Sequence, residues 1–416
     1  MTTGAATTDP DVAARRGRER RLVAAMFIAG ACIYIQTYDA QAILPAIAAD
    51  QHVTATASVM VLSATTVGMA VGVMPWAYLS DRIGRLAVIR ICLVAATVLS
   101  LVGPWAPSFD LFLVMRLAKG LLFGGVTGLA VAFIFEQVAP VRAVIASGVY
   151  ISGNTVGGVV TRVASGLIAD RAGWRIALEA MAISGLLLAV AFLLMTRSFS
   201  DRSRRADALI HGEHAKVPLG RALWSSRTLL AFVQGFIALG VFNALFSVLP
   251  FQLRREFPDA GAVITSGLLA LYGLAFVSAQ SGGRLAGRFG IRRPLAAGYA
   301  AGFVGLALLL VPSMGALVVA VALVVLGMFI VHPLNSAEAG RRMPGHRAQS
   351  TALYQISWLA GATILGPIAT TVYQAAGWGW MVFFLAAALA CGFIAAVFDH
   401  RGAPPRRAEG AGGGAG

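Results

Sequence analysis

Charged residues and cysteines are both scarce in this chain of 416 residues. Asp, Glu, Lys and Arg make up 12% of it, whereas soluble globular proteins carry about 25%. The three cysteines stand singly within apolar runs, at Cys32, Cys92 and Cys391, as small packing residues do. They are too few for a disulfide framework or a Cys-rich metal site. These shortages exclude a disulfide-stapled secreted domain and a water-soluble enzyme.

Sites for chemistry are missing as well. The chain contains no phosphate-binding G-x-x-x-x-G-K-[ST] loop, no cluster with metal-ligand spacing and no nucleophile triad. The sequence therefore predicts that the protein is not an enzyme and uses no cofactor or metal. Any transport that it performs must be driven by a gradient rather than by ATP.

Long apolar runs are what the chain has in abundance. Hydrophobic residues make up 58% of it, and its mean hydropathy is +0.78. Continuous runs of about 20 residues cross a bilayer core of roughly 30 Å as helices, not as a barrel. The sequence predicts an all-α membrane protein with twelve transmembrane helices, at 22–47, 57–79, 86–105, 111–135, 143–167, 175–196, 228–252, 263–285, 294–312, 315–337, 350–373 and 379–398.

Lysine and arginine determine the predicted orientation, because cytoplasmic loops carry an excess of them. Of the 33 basic residues, 26 lie inside if the N-terminus is cytoplasmic, and four lie in outside loops. Both termini are therefore predicted to be cytoplasmic. This topology also explains the net charge of +15 without nucleic-acid binding.

One long polar segment divides the predicted helices six and six. We expect a cytoplasmic segment over 1–21, a six-helix bundle over 22–196, a cytoplasmic linker over 197–227, a second six-helix bundle over 228–398 and a disordered cytoplasmic tail over 399–416. The halves also resemble each other at a constant offset of 204 residues. The matching pairs are Pro140 and Pro344, Tyr150 and Tyr354, Gly157 and Gly361, and Trp174 and Trp378. Two six-helix pseudo-repeats around a midplane site are a transporter architecture.

A tight turn is predicted between the second and third spans. Gly84 can take the positive φ that such a turn needs. Asp81 precedes a helix N-terminus and Arg82 follows a helix C-terminus, where the helix dipoles favour these charges. Arg82-x-Gly84 recurs in the second half as Arg288-x-Gly290, without the acid.

These residues carry a family resemblance. Residues 77–85, with Asp81, Arg82, Gly84 and Arg85, resemble the G-x-x-x-D-R-x-G-R signature of the major facilitator superfamily, with alanine in place of its first glycine. The resemblance implies the major facilitator fold. It also implies that Asp81, Arg82 and Arg85 latch the two halves on the cytoplasmic face.

Two further motifs resemble those of exporters within this superfamily. Arg116-x-x-x-Gly120 is similar to the helix 4 motif of proton-coupled drug exporters, with Lys119 where a neutral amide is usual. The helix 5 motif of exporters is matched by Gly153, Asn154, Gly157 and Gly158, with Asn154 in place of its usual proline. The pattern resembles the bacterial arabinose-efflux-like and drug–proton antiporter branch most closely. For the glycines themselves, close helix packing is the simplest interpretation.

Three charged residues lie near mid-membrane, at Asp39, Arg116 and Lys119. Each costs about 2.5–3.5 kcal/mol near a helix centre, so a role is expected for them. Family helices 1 and 4 line the central cavity, where Asp39 would pair with one cation and leave the other for substrate or a proton cycle. A static ion pair that holds the two helices together is the alternative. Arg162 is predicted to lie further outward and to snorkel.

Neutral polar and aromatic residues mark the helices that line the cavity in this family. Together they suggest an amphipathic pocket that tolerates aromatic ligands, although packing explains any single one of them. The candidates are Tyr34, Gln36, Tyr38, Gln41, Asn243, Phe246, Tyr354 and Trp358.

The sequence thus predicts a secondary transporter in the cytoplasmic (inner) membrane that exports small organic molecules by alternating access, coupled to protons. An uptake symporter or uniporter for an anionic metabolite is one alternative, and a non-transporting sensor is another. The expected partners are a small-molecule substrate, protons and the lipid bilayer, without nucleic acid, and the protein is expected to be a monomer.

Overall fold

A computed structural model describes residues 10–138, 140–199, 226–258, 261–342 and 347–400. The described chain is helical throughout, as the sequence predicts. In order, the helices are α1 (Pro10–Thr37), α2 (Leu44–Asp50), α3 (Ala55–Ile83), α4 (Arg85–Val102), α5 (Phe109–Gln137), α6 (Pro140–Ala172), α7 (Trp174–Thr196), α8 (Ser226–Glu256), α9 (Gly261–Ala270), α10 (Leu274–Phe289), α11 (Arg292–Leu308), α12 (Met314–Arg342), α13 (Arg347–Ala376) and α14 (Trp378–His400). Short 3₁₀ turns join α1 to α2 and α9 to α10, so each pair forms one interrupted rod.

Ten helical segments of the described chain are long and apolar enough to cross a membrane. Each of the twelve predicted spans falls mostly on helix, but α6 and α11 are not among these ten. Twelve crossings and cytoplasmic termini therefore stay predictions. Most of the predicted linker and tail, at 200–225 and 401–416, lies outside the described residues.

Local sequence signals explain where several helices begin and end. The Thr54 hydroxyl accepts a hydrogen bond from the Ala57 amide at 3.1 Å and caps α3. Gly84 separates α3 from α4 with φ of 97°, the conformation that the turn was predicted to require. The repeat-related Gly290 has φ of 75°. Gly173 and Gly377, which are 204 positions apart, have φ of 85° and 86°. The two halves thus share backbone geometry as well as sequence.

Small residues allow neighbouring helices to approach closely, as expected in a membrane. A Cβ added at Gly120 of α5 would overlap the backbone carbonyl of Thr65 in α3. One added at Gly361 of α13 would overlap the carbonyl of Phe236 in α8. These glycines therefore hold α3 to α5 in the first half, and α8 to α13 in the second, backbone to backbone.

We expect Gly157→Ala to destabilise the protein by about 1–3 kcal/mol, because overpacking forces helices apart. A Cβ there would overlap the carbonyl oxygen of Ala31 and lie 2.9 Å from its Cα. Gly148→Ala is the matched control on the same helix, since no atom lies within 4 Å of its added Cβ. Thermal unfolding in detergent measures both variants. An equal melting temperature for the two would contradict close α1–α6 packing.

The two halves, α1–α7 and α8–α14, meet where α3 begins and α13 ends. The Thr56 hydroxyl donates to Gln374 Oε1 at 2.6 Å and lies 3.1 Å from the Thr371 hydroxyl. Further along the same helices, the hydroxyls of Thr66 and Thr363 are 2.8 Å apart. We call this end of the molecule the closed end.

A cavity of about 1090 Å³ lies against α1 and α6 at the opposite end of the helices. Its polar residues are Glu19, Arg20 and Arg142, and Glu19 pairs with Arg142 at 2.5 Å. The rest of its lining is mainly apolar and includes Phe27 and Val149. The two halves are therefore in contact at one end of the molecule, and at the other end a cavity lies beside α1 and α6 of the first half.

Candidate functional site

The structure brings the three predicted mid-membrane charges into one cluster. Asp39 Oδ1 accepts a hydrogen bond from Arg116 Nη1 at 2.6 Å, and its Oδ2 accepts from Lys119 Nζ at 3.4 Å. Lys119 also donates to the backbone oxygen of Gln36 at 2.7 Å. All three charged side chains are only 3% exposed. The expectation that Asp39 would leave one cation free is wrong, because its carboxylate contacts both.

Local structure explains this arrangement. The predicted span 22–47 is interrupted after Thr37, so Asp39 lies in a non-helical bend before the turn Gln41–Ile43. Arg116 and Lys119 lie one turn apart on α5 and therefore share a face. A bend can direct the carboxylate sideways, which allows both cations to reach it.

The surroundings of the cluster correct its expected location. Leu99 and Ser100 of α4 and Leu178 of α7 complete the wall around the charges, and all belong to the first half. The cluster therefore lies inside the first bundle and not in a cavity between the halves. The gap beside the cluster is small: the volume in which the centre of a water molecule fits is about 10 Å³. This is enough for one water. This placement favours a role in fixing α1 to α5.

The charged residues of the signature at 77–85 lie at the surface turn between α3 and α4. Asp81 and Arg82 are exposed, and the Arg82 guanidinium donates to the Tyr78 hydroxyl at 2.6 Å. Arg85 forms an ion pair with Glu136 at the end of α5, a partner that the motif did not identify. In the second half, Arg288 lies over the Phe289 ring at 5.2 Å, beside Gly290. The latch function stays a prediction.

The motif at 153–158, which resembles the family's helix 5 motif and lies on α6 here, packs in two directions. Cβ atoms at Gly153 and Gly157 would overlap the carbonyls of Phe27 and Ala31 in α1. Asn154 lies on the same side, because a Cβ at Gly30 would come within 2.5 Å of its Oδ1. A Cβ at Gly158, by contrast, would meet side chains that lie between the halves. The motif thus holds α6 to α1 and leaves room beside Gly158.

Arg162 occupies the space beside Gly158. The prediction that its side chain snorkels toward the membrane surface is therefore wrong. Arg162 is 0% exposed. Its Nε donates to Gln41 Oε1 and its Nη1 to the Gly158 carbonyl, both at 2.7 Å. Its guanidinium carbon lies 4.4 Å from the ring centroids of both Tyr38 and Tyr272. The second half covers this side chain, so depth along α6 alone could not predict its burial. The available signal was its position one turn after Gly158.

Three more of the predicted pocket residues lie beside Arg162. Phe246 has its ring centroid 5.7 Å from the guanidinium. Gln41 Nε2 donates to Asn243 Oδ1 at 3.2 Å, and Asn243 Nδ2 donates to the Ala362 carbonyl at 3.1 Å. A hydrogen-bonded chain therefore runs from Arg162 across the interface into α8 and α13.

The other predicted pocket residues are divided between two places. Tyr34 is half-buried, and its ring lies 5.6 Å from that of Tyr38. Tyr354 and Trp358 enclose His332, with Trp358 stacked on the imidazole at 3.6 Å. Gln36 is not a pocket residue, because its amide donates to the Cys32 carbonyl and the Thr97 hydroxyl inside the first half.

No group of three or more His, Cys, Asp or Glu side chains in the described ranges is placed to hold a metal ion. Around Arg162, the side chains brought together are a cation, amides and aromatic rings. Such groups can bind and orient a small molecule.

Comparisons with known proteins agree on one family. The family model described as Major Facilitator Superfamily matches residues 26–348 and 282–415. The chain is 28% identical to the uncharacterized MFS-type transporter YybF of Bacillus subtilis, over 89% of this chain and 92% of that one. It is also 28% identical to the inner membrane transport protein YnfM of Escherichia coli, over 95% and 94% of the two chains.

Solved structures share the fold. A bacterial homolog of the human lysosomal transporter Spinster, in an inward-facing and unoccupied conformation, matches with a TM-score of 0.69 and 16% identity, over 92% of this chain and 96% of that one. The nucleoside transporter NupG matches with a TM-score of 0.70 and 12% identity, over 92% and 100%. At these identities the likeness concerns the fold alone.

Proposed function

Because the chain belongs to the major facilitator superfamily and is a multi-pass protein of the inner membrane, we propose that it exports small organic molecules in exchange for protons. Alternating access is supported by the difference between the two ends of the molecule. The halves are hydrogen-bonded at the closed end, and the cavity of about 1090 Å³ lies at the other. In the predicted orientation, the closed end faces outward and the cavity opens to the cytoplasm.

Asp39 is the residue to which we assign proton exchange. Its carboxylate is buried between two cations, and one water fits in the adjoining gap. Protonation would remove its attraction for Arg116 and Lys119 and loosen α1 from α5. Since Tyr38 and Gln41 flank Asp39 in the segment that follows α1 and lie at the interface between the halves, such a change can be transmitted to the substrate path.

The test is proton release from the purified protein in weak buffer when cationic, neutral and anionic compounds are added. We expect release with at least one compound, and we expect Asp39→Asn to abolish it. Asp50→Asn is the matched control, because Asp50 pairs with Arg175 at a partly exposed site of the same half. Folding of each variant is checked by size-exclusion chromatography.

Unchanged release from a folded Asp39→Asn variant would contradict the assignment. Binding of a compound without any proton release from the wild-type protein would contradict antiport itself. The protein would then fit the second candidate, an uptake symporter or a uniporter for an anionic metabolite. That candidate is favoured by the surplus of buried positive charge, since two cations share the Asp39 carboxylate.

A further inference from the structure

Arg162 is a fully buried cation, and its hydrogen-bond partners among the described residues are neutral. Among the residues that the structure describes, it forms no ion pair. Its Nη2 is buried without a hydrogen-bond partner there. Both hydrogen bonds that Arg162 does make go to neutral oxygens, those of Gln41 and Gly158.

Such an arrangement is unfavourable by itself. Burying an ion without a counter-charge carries a large desolvation penalty, and bonds to neutral acceptors offset it only in part. The rings of Tyr38 and Tyr272, each 4.4 Å from the guanidinium carbon, stabilise the cation through their faces. Among the described residues, no anion balances this buried charge.

The second half supplies an aromatic wall next to Arg162. The Phe242 ring lies 4.4 Å from Phe246, 5.5 Å from Tyr272 and 5.1 Å from Phe329. Phe329 in turn lies 6.0 Å from Trp358. These rings are buried and pack against one another, and the guanidinium stands at the border of the wall. Where the halves part, the wall would present ring faces and edges to a flat apolar body.

From this geometry we infer that Arg162 binds the anionic group of a small organic anion with a flat apolar body, such as an aromatic carboxylate. The inference rests on the proposed transport function and specifies its substrate class. A carboxylate can accept two parallel hydrogen bonds from a guanidinium, and Arg162 Nη2 is available for this contact.

Arg162 also lies where the two halves meet. Arg162 is contacted by Tyr38 of the first half and by Tyr272 of the second. When the halves move apart around this site, the two rings part and the guanidinium becomes accessible to an anion. After release of the anion, the tyrosine rings take its place around the cation.

Benzoate, benzamide and sodium chloride are the probes, added to the purified full-length protein without any proton gradient. Binding is measured by the change in melting temperature and in tryptophan fluorescence. We expect saturable binding of benzoate and none of benzamide, its neutral counterpart. Arg162→Gln is expected to weaken benzoate binding by at least about tenfold, the loss typical of a charged hydrogen bond. Arg171→Gln, at an exposed position of the same helix, is expected to leave it unchanged.

A second readout separates binding from a purely structural role. Since glutamine removes an uncompensated charge, unliganded Arg162→Gln is expected to melt no lower than the wild-type protein. A markedly lower melting temperature would indicate a structural arginine and overturn the inference. So would equal binding of benzamide, an effect of sodium chloride equal to that of benzoate, an absence of benzoate binding, or unchanged binding in Arg162→Gln.

These results are independent of proton coupling. If Asp39→Asn retains proton release while Arg162→Gln loses benzoate binding, the coupling assignment fails and the substrate class stands. If benzoate does not bind but another compound releases protons through Asp39, the substrate class fails and the proposed function stands.

Discussion

Cross-linking the closed end is expected to stop transport completely. The Thr56 and Thr371 hydroxyl oxygens lie 3.1 Å apart across the two halves. Because the two side chains meet through their γ atoms, cysteines at the same positions would bring their sulfurs together, as a disulfide requires. In the double variant Thr56→Cys/Thr371→Cys, oxidation would tie α3 to α13. Alternating access requires these helices to part, so flux in proteoliposomes should fall to the background of empty vesicles and return on reduction.

The two single variants are the controls for this experiment. Each carries one new thiol together with the natural Cys391, which is exposed, so any effect of oxidation unrelated to the cross-link appears in them too. Flux is followed with a compound that binds the wild-type protein, and thiol labelling gives the cross-linked fraction. If the fully cross-linked double variant transports as fast as the same variant after chemical reduction, opening at this end is ruled out.

Much of the fold could be predicted because a membrane helix is determined by a local run of apolar residues. Apolar runs predict helices at every expected span. Gly84 takes the positive φ that the turn pattern required. The association of Asp39 with Arg116 and Lys119 could also be predicted, because buried charges pair with one another. Each of these conclusions depends on residues close in sequence or on a rule of charge pairing.

What could not be predicted depends on helix rotation and on the contact between the halves. Depth along a helix says nothing about which neighbour a side chain meets, so Gln36 was expected at the pocket but binds Thr97 instead. The Asp39 cluster was likewise placed between the halves, although α4 and α7 enclose it. Arg162 was assigned to the membrane edge because its burial depends on Tyr272, which lies 110 positions away.

The Asp39 cluster gives the largest expected effect on stability. Removing one partner of a buried ion pair leaves an uncompensated charge and typically costs about 3–5 kcal/mol. Asp39→Asn leaves two buried cations, Arg116 and Lys119, without a carboxylate. We therefore expect a loss of this size, measured by thermal unfolding in detergent. Asp50→Asn, at the partly exposed pair with Arg175, should cost less than about 1 kcal/mol.

A double-mutant cycle distinguishes this charge effect from lost packing. Asp39→Asn/Arg116→Gln removes one charge of each sign, so the buried net charge returns to its original value. The double variant should therefore be more stable than Asp39→Asn alone, with a coupling energy of about 3 kcal/mol, the upper end for residues in direct contact. Simple addition of the two single costs would mean that the cluster acts through shape alone. Since the double variant keeps Arg162 and its aromatic surroundings, it should still bind benzoate while it releases no protons, because it has lost the acid but not the anion site.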